Sequence, residues 1–167
     1  MSMTLQRISK EDKSVLSQLI QLYNYDFSIY TDEDLNRHGF YPFSRLDSYF
    51  LEPDRFAYFI LEQGNLAGFV LVNSYCEFLG EKGDHAIAEF FVMQKYRRKG
   101  IGSKAAMQVF DLHPGRWEVD QMRSNIPAQK FWQKVIAEYT HGNYSAHQIE
   151  DEKFSIVGFH FEHAKAL

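Results

Sequence analysis

Residues 92–103 hold the side chains and the spacing needed to grip a phosphorylated ligand: Arg97, Arg98 and Lys99, then Gly100, Ile101, Gly102 and Ser103. The first amides of a helix lack intrahelical acceptors, and the aligned peptide dipoles add partial positive charge there. Gly100 and Gly102 carry no side chain to keep an anion away from such amides. Lys95 and Lys104 extend the basic cluster. It is too small for a nucleic-acid duplex and large enough for one phosphorylated ligand. On this pattern alone two readings stay open, a phosphate cradle and a basic surface turn. Other phosphate loops fit less well. The Gly-Lys-Ser/Thr order of a P-loop is missing, and so is the third glycine of a dinucleotide fingerprint.

Glu89 interrupts the apolar run over residues 86–92. An unpaired carboxylate is costly in such a run. It is therefore either a general base or the partner of Arg116 or Arg123 in an ion pair. His85, near the start of the same run, is a weaker base, and Glu118 and Asp120 are weaker still. Cys76 is the only cysteine, which excludes an intrachain disulfide and points to a reducing compartment. It reads as a small buried hydrophobe rather than a nucleophile. His160 and His163, three residues apart, fall on opposite faces of a strand, and no metal site is expected.

The elements that must position these groups follow from periodicity. Residues 3–8 read as a strand. Ser9 and Asp12 resemble a capping box ahead of a helix whose apolar stripe is Val15, Leu16, Leu19, Ile20, Leu22 and Tyr23. Residues 26–53 are irregular, acidic and aromatic, with one short helix near 46–51. Residues 55–61 and 66–73 form a hairpin through Gln63, Gly64 and Asn65. Residues 85–93 read as a central strand buried on both faces. A helix over 103–112 buries Ala105, Ala106, Val109 and Phe110, and residues 113–115 stop it. A strand over 116–121 leads to a helix over 125–138, capped by Ser124 or Asn125, with Pro127 in its first turn. Its buried stripe is Ala128, Phe131, Trp132 and Val135. Strands near 139–145 and 154–161 complete the chain. The strand-helix-strand crossover after residue 93 makes part of the sheet parallel.

Arg97-x-x-Gly100-x-Gly102 after a strand ending at Val92 resembles the acetyl-CoA motif of the GNAT superfamily of N-acetyltransferases. A second stretch, Asn125-x-x-Ala128-x-x-Phe131, is similar to the family's next motif, on the helix flanking the cofactor cleft. The resemblance covers nearly the whole chain. It implies an α/β (α+β) fold, with a mixed central sheet splayed at the cofactor site and flanked by helices, as one domain over residues 1–167. It also implies that acetyl-CoA is the acyl donor. Its pantetheine arm would lie between strands 85–93 and 116–121 and pair with the backbone of Phe91 or Val92. Amides from Arg97 through Arg98, Lys99, Gly100, Ile101 and Gly102 to Ser103 would hold the pyrophosphate. Asn125 would bond the arm, beside Ala128, Phe131 and Trp132.

The implied reaction is attack of a neutral primary amine on the thioester carbonyl, with a backbone N–H stabilising the oxyanion. A primary amine with a pKa of about 10 must first lose a proton, and Glu89 is the best candidate to take it. The family often has Tyr seven residues after the motif Asn, as acid for the leaving thiolate. Here that residue is Trp132, a donor that does not ionise usefully. Tyr139 is the possible substitute.

The chain has 167 residues and a formal charge of −4. That balance argues against a nucleic-acid surface. Its apolar stretches are too short to span a bilayer and no leader pattern is seen, so the expected location is cytoplasmic, as a monomer or homodimer. The segment from Tyr23 to Phe50 combines Asp26, Asp32, Glu33, Asp34 and Asp47 with many aromatics. Acid plus aromatic suits a small cationic amine acceptor; a solvated acidic loop over core aromatics is the plainer reading. A protein N-terminus or lysine is the alternative acceptor. A non-catalytic acyl-CoA-binding sensor or partner module is the alternative function, supported by Trp132 in place of Tyr.

Overall fold

The computed structural model describes residues 2–152 and 154–163. Its elements are β1 (Met3–Arg7), α1 (Lys13–Phe27), α2 (Ser48–Leu51), β2 (Phe56–Glu62), β3 (Asn65–Asn73), β4 (His85–Val92), α3 (Ile101–Leu112), β5 (Gly115–Met122), α4 (Ile126–Tyr139), β6 (Ser145–Glu150) and β7 (Ser155–His163). Among these residues seven strands form one sheet, in the order β1-β2-β3-β4-β5-β7-β6. Only β4 and β5 run parallel, joined by the α3 crossover. No helix among the described residues is long and apolar enough to cross a membrane.

Strand alternation builds two cores. Tyr58 and Ile60 of β2, with Val70 and Val72 of β3, pack under α3 and α4 with Phe110, Trp117 and Trp132. Ala57, Phe59, Phe69 and Leu71 point the other way, onto Leu16, Leu19 and Ile20 of α1. The hairpin turn forms as expected, with Gln63 at φ 51° and Gly64 at φ 78°. Both values are positive, as a tight two-residue hairpin requires.

Two features of β4 shape the site. Its register against β3 shifts between Leu71↔Glu89 and Val72↔Ile87, so Ala88 is an extra residue, a β-bulge. Ile87 therefore joins the α3/α4 layer, whereas Glu89 and Phe91 face α1. Second, β4 pairs with β5 only through His85↔Trp117 and Ala86↔Glu118. Beyond Ala86 the two strands part. The expectation that β4 is buried on both faces is thus corrected: Ile87 to Phe90 are half-buried, because β5 no longer covers that edge.

Other corrections are local. Ser9 and Asp12 meet each other at 3.5 Å and cap no backbone N–H; a 3-10 turn, Lys10–Asp12, precedes α1. Leu22 is exposed. The strand expected near 139–145 starts only at Ser145, because α4 runs on to Tyr139. The Gly142 N–H then closes the helix onto the Ala137 carbonyl at 2.8 Å, with Gly142 at φ 83°.

Candidate functional site

The gap between β4 and β5 opens at the C-terminal ends of two parallel strands, just before α3 begins. Met93 N–H donates to the Ala67 carbonyl of β3 at 2.8 Å. Alternation along β4 then turns the peptide groups of Phe91 toward β3 and those of Val92 into the gap. Of the two residues offered for strand-like pairing, Val92 has the free edge. Its carbonyl accepts Arg97 Nε at 2.7 Å. Phe91 instead buries its ring with Phe69 and Tyr23.

The loop into α3 is built by backbone conformation. Arg98 has φ 61° and Gly100 φ 76°, both left-handed. The first intrahelical bond runs from Lys104 N–H to the Gly100 carbonyl at 3.1 Å, which leaves the amides of Ile101, Gly102 and Ser103 for an outside acceptor. Ile101 is buried and pins the helix start, while Arg98, Lys99 and Gly100 are exposed. A Cβ built at Gly100 meets nothing within 4 Å, so space over the loop is open. A Cβ at Gly102 would stand 3.3 Å from the Phe131 ring and 3.5 Å from Val92 Cγ2. Gly102 thus lets α3 pass close to α4. Arg97 is not free: its Nη2 bonds Asp26 Oδ2 at 2.7 Å.

Asn125 caps α4, its side chain accepting the Ala128 N–H at 3.2 Å. Ala128 and Phe131 are half-buried. Trp132 is buried, edge-to-face on Phe90 at 4.9 Å, and belongs to the core.

Tyr139 does not reach the gap. It is the last residue of α4. Its hydroxyl donates to Asp111 Oδ1 at 2.8 Å and lies 2.9 Å from His163 Nδ1. His163 pairs with Gly115 at the start of β5, at the closed end of the sheet. The proposed substitute acid is therefore corrected to a structural residue. His85 is also at the closed end, against the Pro114 carbonyl and Trp117.

Glu89 occupies the other side of the gap. Neither expected arginine pairs with it: Arg116 binds Asp84 and Arg123 binds Glu150. Its Oε2 instead accepts the Tyr23 hydroxyl at 2.5 Å. Burial pushes the Glu89 carboxyl up to about 7; the Tyr23 bond opposes the rise and the charge of Glu33 adds to it. Tyr23 sits on the buried stripe of α1 one turn beyond Leu19 and Ile20. A hydroxyl at such a position needs a buried partner, and that is the sequence signal for this pair.

Glu89 opens on a cavity of about 620 Å³. Its walls are Ala86, Ile87, Ala88 and Glu89 of β4, Glu118 and Asp120 of β5, and residues 42–45 with Tyr49 from the irregular segment. Glu77, Arg45 and Arg55 also line it. Arg55 is held by Glu52 at 2.6 Å beneath the rings of Tyr49 and Tyr75. Glu118, a weak candidate in sequence, is 1% exposed, and burial, with Asp120 beside it, pushes its carboxyl above the usual carboxylate range. The acidic segment divides. Asp26 is paired with Arg97, Asp47 with Lys13, and Tyr49 is core, with Phe43 and Phe50 half-buried against it. Asp32, Glu33 and Asp34 are exposed.

The acetyltransferase (GNAT) family profile matches residues 18–136. No curated protein matches the chain in sequence. Among solved structures, an acetyltransferase from Thermus thermophilus superposes with a TM-score of 0.68 at 13% identity, over 97% of this chain and 97% of that one. Aminoglycoside acetyltransferase AAC(6')-Ib in complex with coenzyme A and kanamycin gives 0.67 at 13% identity, over 96% and 95%. Spermidine N-acetyltransferase from Vibrio cholerae in complex with CoA and spermine gives 0.63 at 12% identity, over 96% and 95%. At these identities the likeness is one of fold.

Proposed function

The chain belongs to the acetyltransferase (GNAT) family, and from that premise we propose that it acetylates the primary amine of a small cationic acceptor seated in the cavity beside Glu89. The observation that carries this reading is the parting of β4 from β5 after Ala86, with the loop before α3 on one side and the Glu89 cavity on the other. Acetyl-CoA supplies the thioester carbonyl. The amides of Ile101, Gly102 and Ser103 suit its pyrophosphate, and the peptide of Val92 suits its amide-bearing arm. The Val92 N–H, turned into the gap, is the donor best placed for negative charge developing on a carbonyl oxygen.

Glu89 would take the proton from the acceptor ammonium. A carboxyl near 7 is well matched to that task at neutral pH. Tyr23 holds the carboxylate in place. No side-chain acid is needed for the departing thiolate, since a free thiol has a pKa of about 8.5. A small acceptor fits a cavity of about 620 Å³, within the range of roughly 300–1,000 Å³ usual for ligand sites. Four carboxylates, Glu77, Glu89, Glu118 and Asp120, face two arginines there, which favours a cation.

The test is thiol release from acetyl-CoA with a panel of small diamines, neutral amines and peptides with free N-termini. Faster turnover of small cationic amines supports the proposal. Turnover of peptides alone would contradict it.

A further inference from the structure

Four ionisable side chains meet on the face of β5-β7-β6 opposite α3 and α4. Trp117, Val119, Phe159 and Phe161 point to those helices, so Glu118, Asp120, Gly158 and His160 point away. Gly158 pairs with Asp120 on one side and His147 on the other. A Cβ there would run into Asp120 Oδ1 and stand 2.8 Å from His147 Nε2. The missing side chain leaves the space in which those two meet, at 2.6 Å. Behind them His147 Nδ1 lies 2.9 Å from His160 Nδ1. Phe78 stacks on His147 at 4.3 Å and 3°, and on His160 at 5.0 Å, so the cluster has an aromatic roof.

Glu118 completes the group. Its Oε1 accepts the Phe78 and Leu79 N–H groups at 2.9 and 2.8 Å. Its Oε2 is buried and has no hydrogen-bond partner among the described residues. The side chain beside it is Asp120, another carboxylate. Two carboxylate oxygens attract each other only across a shared proton or a cation. One ligand atom each from Glu118, Asp120 and His147 lies within 4.8 Å of the others.

We propose that Glu118, Asp120 and His147 bind one divalent first-row transition-metal ion at the wall of the acceptor cavity. Two carboxylate oxygens and one imidazole nitrogen form a donor set such ions accept. Each flanking ligand is held from behind, Glu118 by two backbone amides and His147 by His160, as ligands at metal sites usually are. Three protein ligands leave a further position open, and Glu118 and Asp120 both line the cavity. Binding needs both carboxylates ionised and the His147 proton on Nδ1, directed at His160 Nδ1; the protons displaced from His147 Nε2 and from between Glu118 and Asp120 leave to solvent. The site replaces the sequence-based expectation of no metal and does not depend on acetyl transfer.

Chelator-stripped protein dialysed against zinc chloride near neutral pH, then measured by elemental mass spectrometry, tests this. Stoichiometric zinc is expected in the unaltered chain and its loss in Glu118→Gln and His147→Gln. His160→Gln should weaken zinc binding by roughly 10–100-fold. Should a variant fail to fold, imidazole NMR of the unaltered chain decides. Zinc should move the His147 and His160 ring signals and leave those of exposed His38 and His141. Absence of stoichiometric zinc, its retention in both ligand variants, or unmoved His147 signals overturns the proposal. The melting shift with acetyl-CoA, measured on the same metal-free protein, reports separately on the proposed transfer function.

Discussion

In the proposed transfer Glu89 is the base, and its neighbours give signed predictions. Its carboxyl, pushed up to about 7 by burial, is ionised mainly above that pH. Wild-type kcat/KM should therefore rise through about pH 7. Glu89→Gln should remove that rise and cost roughly 10²–10⁴-fold at neutral pH, with the loss shrinking where the amine deprotonates unaided. Tyr23→Phe deletes a bond that lowers the Glu89 pKa, so the inflection should move to higher pH. Glu33→Gln deletes a charge that raises it, so the inflection should move lower. If both inflections stay put, another group titrates.

Stability should follow the same group. A raised carboxyl contributes stability below its unfolded pKa and loses it as pH rises through the folded value. Thermal melts should show Glu89→Gln more stable than wild type above about pH 7, with the difference fading near pH 4. Tyr139, in contrast, is held by Asp111 and His163 away from the gap. Tyr139→Phe should leave turnover within a few-fold and cost about 0.5–1.5 kcal/mol in a denaturant melt. Trp132→Phe keeps an aromatic ring on Phe90 and should retain most activity. Loss of two or more orders of magnitude in either variant would restore that side chain as a proton donor.

At the scale of elements, the start of α3 contains two glycines kept for different reasons. Gly100 holds φ 76° over open space, so Gly100→Ala should cost about 1–2 kcal/mol through backbone strain alone. A side chain at Gly100 would thus act through the backbone as well as by keeping an anion from the amides. Gly102→Ala presses on the Phe131 ring at 3.3 Å and should forfeit the roughly 0.5–1 kcal/mol that replacing a helical glycine otherwise gains. Phe131→Leu should restore part of that loss, as melts of the double variant would show; no recovery would mean that the contact is not the cause.

The elements best read in the sequence are those with local signals: the Gln63-Gly64 hairpin, the Asn125 cap, the turn from Val92 into α3. The strand expected at 139–145 does not form over most of that span, because His141 and Gly142 close α4. Contacts made across the chain leave no local trace. Tyr23 and Glu89 are 66 residues apart, and Asp26 and Arg97 are 71 apart. The Asp120–His147 contact requires β7 to lie between β5 and β6, an order the sequence pattern does not reveal. The bulge at Ala88, which turns Glu89 toward Tyr23, interrupts no pattern that a mostly apolar strand displays.

For the whole molecule, the proposed transfer draws on several layers: α1 for Tyr23, β4 for Val92 and Glu89, β5 for the facing wall, and the start of α3 for the amides. If the acceptor is cationic, its KM should rise with ionic strength, since the exposed part of that attraction is screened over about 10 Å at 0.1 M salt. Thermal melting with and without acetyl-CoA shows whether the gap between β4 and β5 holds the acyl donor. A ligand at about 100 times its Kd adds roughly 2.7 kcal/mol, which in a chain of this size corresponds to a Tm rise of roughly 5–10 °C. That rise is predicted for the unaltered protein and should shrink in Arg97→Ala. A melting curve unmoved by saturating acetyl-CoA would mean that the gap does not bind it.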